Sequence, residues 1–187
     1  MKIPLTTLVL AALLLPAVSR ADGAAPPDDS ARIRVFQQNG VTLGLFPGRD
    51  CYRASRFGNH GGIVESHAFK SFLHLSSNKS IGMPETPNSR GLSARSTLFS
   101  AAYYQEYRLP AGKIATVTAA FGDAGGWYCN TQAVKFTPQA GTDYEAMLDV
   151  SLDDKTCRLV IGSIPSDHPD AALQTLPDLA PACSSGK

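Results

Sequence analysis

Four cysteines, Cys51, Cys129, Cys157 and Cys183, carry the strongest chemistry in this 187-residue chain. None stands in a Cys-x-x-Cys pair and no histidine neighbours Cys129 or Cys157, so the spacing does not suit zinc. An even cysteine count in an exported chain implies disulfides, and four cysteines allow three pairings. Cys129 and Cys157 fall on strands that bracket one further strand. Joining them leaves Cys51 for Cys183, a bond that would tether the C-terminal tail. In a plain meander the strands on either side of a third lie about 9.5 Å apart, beyond disulfide reach. The pairing Cys129–Cys157 with Cys51–Cys183 therefore needs the last strand to cross to the other sheet, or to lie beside the first of the pair. A Cys51–Cys129 bond would exclude it.

Other reactive residue types form weaker patterns. His60, His67 and His74 recur every seven residues, which would align them on a helix and scatter them over both faces of a strand; as loop residues they hold no metal. No Gly-x-Ser-x-Gly elbow and no His-Glu-x-x-His occurs. Asp153-Asp154 before Lys155 is turn chemistry, and Glu85 and Glu106 read as isolated, solvated acids. Gly122–Gly126 lacks the lysine and following helix of a phosphate loop. Trp127 and Tyr128 beside Cys129 are suited to packing on a disulfide, and Tyr103, Tyr104 and Tyr107 read as strand residues. No catalytic residue, metal site or cofactor is expected.

The elements that hold these residues are strands. Tyr103–Leu109, Lys113–Phe121, Trp127–Phe136, Asp143–Leu152 and Lys155–Ile164 read as strands between turn residues, and Lys113–Phe121, Asp143–Leu152 and Lys155–Ile164 alternate in the pattern of half-buried antiparallel strands. Arg32–Phe36 and Val41–Phe46 flank Asn39-Gly40, the strongest short hairpin signal, and Pro47–Asp50 turns the chain to Cys51. Periodicity does not decide Ala68–Leu75. Ser76–Arg95 is punctuated by proline, which suits a sheet edge or a long surface connection. Ala171–Leu176 has room for a helical turn in a proline-rich tail. The expected fold is all-β: an antiparallel sandwich, immunoglobulin-like or transthyretin-like, of about seven or eight strands, stapled by disulfides.

Lys2, the apolar run Ile3–Leu15, Pro16 and Ser19-Arg20-Ala21 form an export leader, with cleavage expected after Ala21. The division is a signal peptide at 1–21, a disordered lead at 22–31, a sandwich at 32–164 and a proline-rich tail at 165–187. Cleavage removes two of the 17 basic residues, leaving one fewer cation than the 16 acids. That balance offers no electrostatic footprint for nucleic acid or an anionic membrane, and no later apolar run is long enough to span a membrane as a helix.

Three stretches resemble small exported bacterial proteins of unknown function: Ser80-Ile81-Gly82-Met83-Pro84-Glu85-Thr86, Glu106–Lys113 and Phe136–Glu145. The last two also resemble transthyretin-like or carboxypeptidase-regulatory-like sandwiches, in which a proline-x-glycine turn launches one strand and a glycine-x-x-tyrosine turn another. The resemblance spans Val41–Ile164 and implies a fold and a compartment, with no catalytic residue. The expected function is a non-catalytic periplasmic or secreted protein that binds another protein or envelope component. Met83, Pro84, Glu85, Thr86 and Pro87, with the 52–70 loops, form its candidate interaction surface. The alternative is a small exported hydrolase using His60 or His67.

Overall fold

The computed structural model describes residues 29–53, 62–64, 77–96, 100–122 and 125–185. The leader, the three spaced histidines, Ala68–Leu75 and most of the 52–70 loops lie outside these residues. The strands are β1 (Ser30–Gln37), β2 (Val41–Pro47), β3 (Cys51–Arg53), β4 (Tyr103–Pro110), β5 (Ala115–Gly122), β6 (Tyr128–Phe136), β7 (Asp143–Ser151), β8 (Thr156–Ser163), β9 (Ala180–Pro181) and β10 (Cys183–Ser185). Sheet A has the order β4-β1-β7-β8 and sheet B the order β2-β5-β6-β9, while β10 pairs with β3 in a separate ribbon. Pairing is antiparallel except for β1 with β7 and β10 with β3.

The two sheets form an all-β sandwich around one core. Alternation along each strand sends every second side chain inward: Ala31, Ile33 and Val35 from β1, Leu43 and Leu45 from β2, Val117 and Ala119 from β5, Tyr144 and Ala146 from β7. Each fully buried Val, Leu or Ile contributes about 1.5–3 kcal/mol. Phe136 and Tyr144 close one end of this core with ring centroids 5.0 Å apart. Burial raises the Tyr144 phenol above its ordinary pKa, against the opposing pull of the Gln139 N–H bond to its oxygen.

The strongest local signal of the sequence needs correction. Asn39-Gly40 does not fold β1 onto β2, because β4 and β7 already occupy both edges of β1. The turn instead carries the chain from sheet A to sheet B. The Val41 N–H donates to the Gln38 carbonyl at 3.1 Å, and Gly40 takes φ +84°. A Cβ at Gly40 would lie 2.9 Å from both the Gly122 carbonyl oxygen and the Phe121 ring. The residue pair specifies a turn that tolerates positive φ; it does not specify which strand the chain then joins.

Both ends of the sandwich are more ordered than the sequence suggests. Ser30 and Ala31, placed in the disordered lead, open β1, and Ala31 is fully buried. The C-terminal tail forms no helix at Ala171–Leu176; Gln174 bridges to Ser163, β9 pairs with β6, and β10 with β3. Gly162 allows this close approach, since a Cβ there would meet the Gln174 carbonyl oxygen at 2.7 Å.

The disulfides are Cys51–Cys183 and Cys129–Cys157, with Cα separations of 4.5 Å and 6.3 Å. The distance problem of a plain meander is resolved one strand early: the chain changes sheets between β6 and β7, so β6 and β8 face each other across the sandwich. Gln132 braces the same margin. Its amide donates to the Cys157 carbonyl at 2.6 Å and accepts from the Leu159 N–H at 2.6 Å, so a β6 side chain satisfies backbone groups on the outer margin of β8.

Candidate functional site

Outward-facing residues of sheet A should be polar and wet, and along β1 they are polar but dry. Arg34 is 1% exposed. The sheet register sets it between Glu106 on β4 and Glu145 on β7, directly across both ladders. Its guanidinium donates to Glu106 Oε1 from Nε at 3.0 Å and Nη2 at 2.6 Å, and to Glu145 Oε1 from Nη1 at 2.9 Å. One ring further along β4, Tyr104 lies 4.8 Å from the guanidinium carbon. Arg32, one step down β1, grips Asp143 with two parallel bonds of 2.7 and 2.8 Å.

The segment from Lys79 to Arg95 buries this row. Lys79 bridges to Gln105 on the free edge of β4, and the chain then crosses the sheet. Glu106 Oε2 accepts from the Ser80 hydroxyl at 2.8 Å, the Ile81 N–H at 2.6 Å and the Met83 N–H at 3.3 Å. Arg34 Nη2 donates to the Pro84 carbonyl at 2.9 Å. Two one-turn helices follow, α1 (Pro87–Arg90) and α2 (Leu92–Arg95). Thr86 caps α1 by accepting from the Ser89 N–H, with Pro87 in the first turn, as helix starts favour. The same hydroxyl donates to Glu145 Oε1 at 2.6 Å, and Asn88 donates to Glu145 Oε2 at 2.8 Å.

This corrects the expected interaction surface. Met83 and Thr86 are 6% and 1% exposed, and Pro84 is half-buried. Glu85 and Pro87 are the exposed residues of the five. Met83–Pro87 is a strap sealing buried charges, and only part of it is left on the surface. Glu106, read as a solvated acid, is the hub of that seal. Its signal was the pairing of Arg34 with Glu106 and Glu145 on neighbouring strands, which becomes visible only once the register is known.

Other residues singled out by type also have structural duties. The Tyr103 hydroxyl donates to Gln37 at 3.0 Å, and the Tyr107 hydroxyl bonds Gln105. Trp127 packs on Phe121 with centroids 5.2 Å apart, whereas Tyr128 is 69% exposed. Asp154 exchanges hydrogen bonds with Ser151 in the β7–β8 turn, where Lys155 takes φ 52°. Asp50 clusters with Cys51 and Cys183, but both sulfurs are consumed by their disulfide. The histidine alternatives, His60 and His67, lie outside the described residues.

The strap covers only half of sheet A. Beyond it, a groove of about 1260 Å³ runs over the β7–β8 half and around the end of the sandwich. It is lined by Phe36, Met147 and Val160, by Leu148 from the core side, by Ala94 and Arg95 of α2, and by Ala172 and Leu173 of the tail. Strap and tail also meet through the exposed Arg90–Asp170 pair, in which the hydrogen bond to Asp170 raises the Arg90 pKa. Arg95 spans the groove margin, with Cζ 5.2 Å from the Phe36 ring centroid and Nη2 donating to Asn88 Oδ1 at 2.9 Å. An apolar depression with a few fixed polar groups has the composition of a binding site.

No protein-family model matches this chain, and neither a curated protein nor a solved structure matches it. Two disulfides taking up all four cysteines fit an oxidising compartment. Among the described residues no helix is long and apolar enough to cross a membrane.

Proposed function

We propose that this chain is a non-catalytic exported protein, periplasmic or secreted, whose sandwich binds another protein or an envelope component through the groove on sheet A. The groove carries the reading, since it joins an apolar floor to charged rim groups on a face otherwise closed by the strap. The leader pattern ending at Ala21 and the two disulfides support export. The strand order departs from the constant-type immunoglobulin member of the expected pair: β1 lies between β4 and β7, whereas the first strand of that sandwich pairs with the second.

The test is capture from the exported fraction with the mature, oxidised protein, using wild type, Val160→Glu and Glu85→Lys. Val160 is a groove residue and Glu85 an exposed strap residue. A partner lost with Val160→Glu and kept with Glu85→Lys is the expected result. A partner that ignores Val160→Glu, or depends on Glu85, refutes the groove as the binding surface. Hydrolysis abolished by replacing His60 or His67 would establish the enzymatic alternative.

A further inference from the structure

Part of the groove is a missing strand position. The parallel pairing of β1 with β7 ends at Val35 and Ala146, while β7 continues paired with β8 as far as Ser151 and Thr156. β1 parts from β7 there, keeps its pairing with β4 to Gln37, and then crosses to sheet B as β2. From Met147 onward β7 therefore has a ladder on one side only, and the groove lies on its other side, lined by Gln38, Asn39, Gly40, Ser100, Leu148 and Val150.

The parity of β7 identifies the groups that face this slot. The Thr142 carbonyl accepts from the Arg32 N–H at 3.1 Å, on the β1 side, and the Asp143 carbonyl accepts from the Ile164 N–H at 2.8 Å, on the β8 side. Successive residues alternate sides, so the N–H and C=O groups of Leu148 and Val150 point into the slot. Leu148 is only 9% exposed, and among the described residues no ladder or side chain serves these groups. Unpaired backbone groups at a recessed edge are a template for an added strand.

The shape and charge of the slot select one kind of strand. β1 itself fills the line of the slot up to Phe36, so an incoming chain must end there. A strand antiparallel to β7 would bring its C-terminus to that end, and a parallel strand its N-terminus. Arg95 stands at the same end, its Nη2 3.1 Å from Met147 Sδ and its guanidinium over the Phe36 ring, with no carboxylate partner among the described residues. Resting on the binding role of the groove, we propose that the slot receives the free C-terminal segment of a partner polypeptide. About five residues would add antiparallel to β7, with hydrogen bonds to Leu148 and Val150 and the terminal carboxylate on Arg95.

The probe is a random nonapeptide library displayed with free C-termini, panned on the oxidised protein, with selected sequences synthesised as the acid and as the amide. Enriched peptides should bind about tenfold or more tightly as acids than as amides. Arg95→Gln, confirmed as folded by its thermal transition, should remove that difference. Amide exchange at Leu148 and Val150 should slow when the acid peptide is bound. Equal binding of acid and amide, unchanged exchange at Leu148 and Val150, or failure to enrich any peptide overturns the proposal. Capture of an exported partner that still depends on Val160 would then leave the groove reading standing, while loss of that dependence would remove both.

Discussion

Sheet A is finished in two opposite ways. Over β4, β1 and the first half of β7 its outer face is closed, with a buried arginine between two glutamates and a strap that supplies their remaining hydrogen bonds. Over the second half of β7 and over β8 it is open, and there the ion pair across the ladder, Arg158 with Asp149, is weak and wet at 3.9 Å with both side chains mostly exposed. The closed half contains more charge than the open half and yet presents less of it to solvent. Polarity on a strand thus decides little about exposure; what decides is whether another segment brings donors to match.

The contrast can be tested from its strongest element downward. Arg34→Met should cost about 3–5 kcal/mol in urea unfolding, because it leaves Glu106 and Glu145 buried without their shared cation. Adding Glu106→Leu and Glu145→Leu should recover part of that loss; an additive further loss would show that the strap depends on the acids more than on the arginine. Thr86→Val keeps the side-chain shape and removes both the helix cap and the donor to Glu145, at about 1–3 kcal/mol, with amide exchange accelerating first in α1. Gln132→Leu should cost about 1 kcal/mol and speed exchange at Leu159 on the margin of β8. Arg158→Ala on the open half should move the urea midpoint by less than about 0.5 kcal/mol equivalent. If the Arg158 and Arg34 variants cost the same, the two halves do not differ as described.

Alternation made β4 to β8 legible within a residue or two of their ends, because each has one wet and one dry face or a clear turn before it. β1 was legible as a strand, yet its neighbours were not. Its turn residues satisfy an arch as well as a hairpin, and its partners Glu106 and Glu145 lie 72 and 111 residues away. The strap misled for a related reason: prolines and a methionine read as an exposed edge, whereas their burial depends on carboxylates contributed by two distant strands. The groove had no sequence signal at all. It exists because β1 stops pairing with β7 before β7 ends, and that is a property of the register.

The position of β1 bears on how the chain must assemble. Ser30–Gln37 precedes every other described strand, but it occupies the interior of sheet A, flanked by β4 and by β7. Until residues beyond 140 arrive, one side of β1 has no ladder and Arg34 has only half of its counter-charge. The Cys51–Cys183 bond closes later still, across a separation of 132 residues. Such long-range pairing places folding in the slow regime of milliseconds to seconds. A truncation anywhere before β7 should therefore yield no stable sheet A, even though it retains the first strand complete.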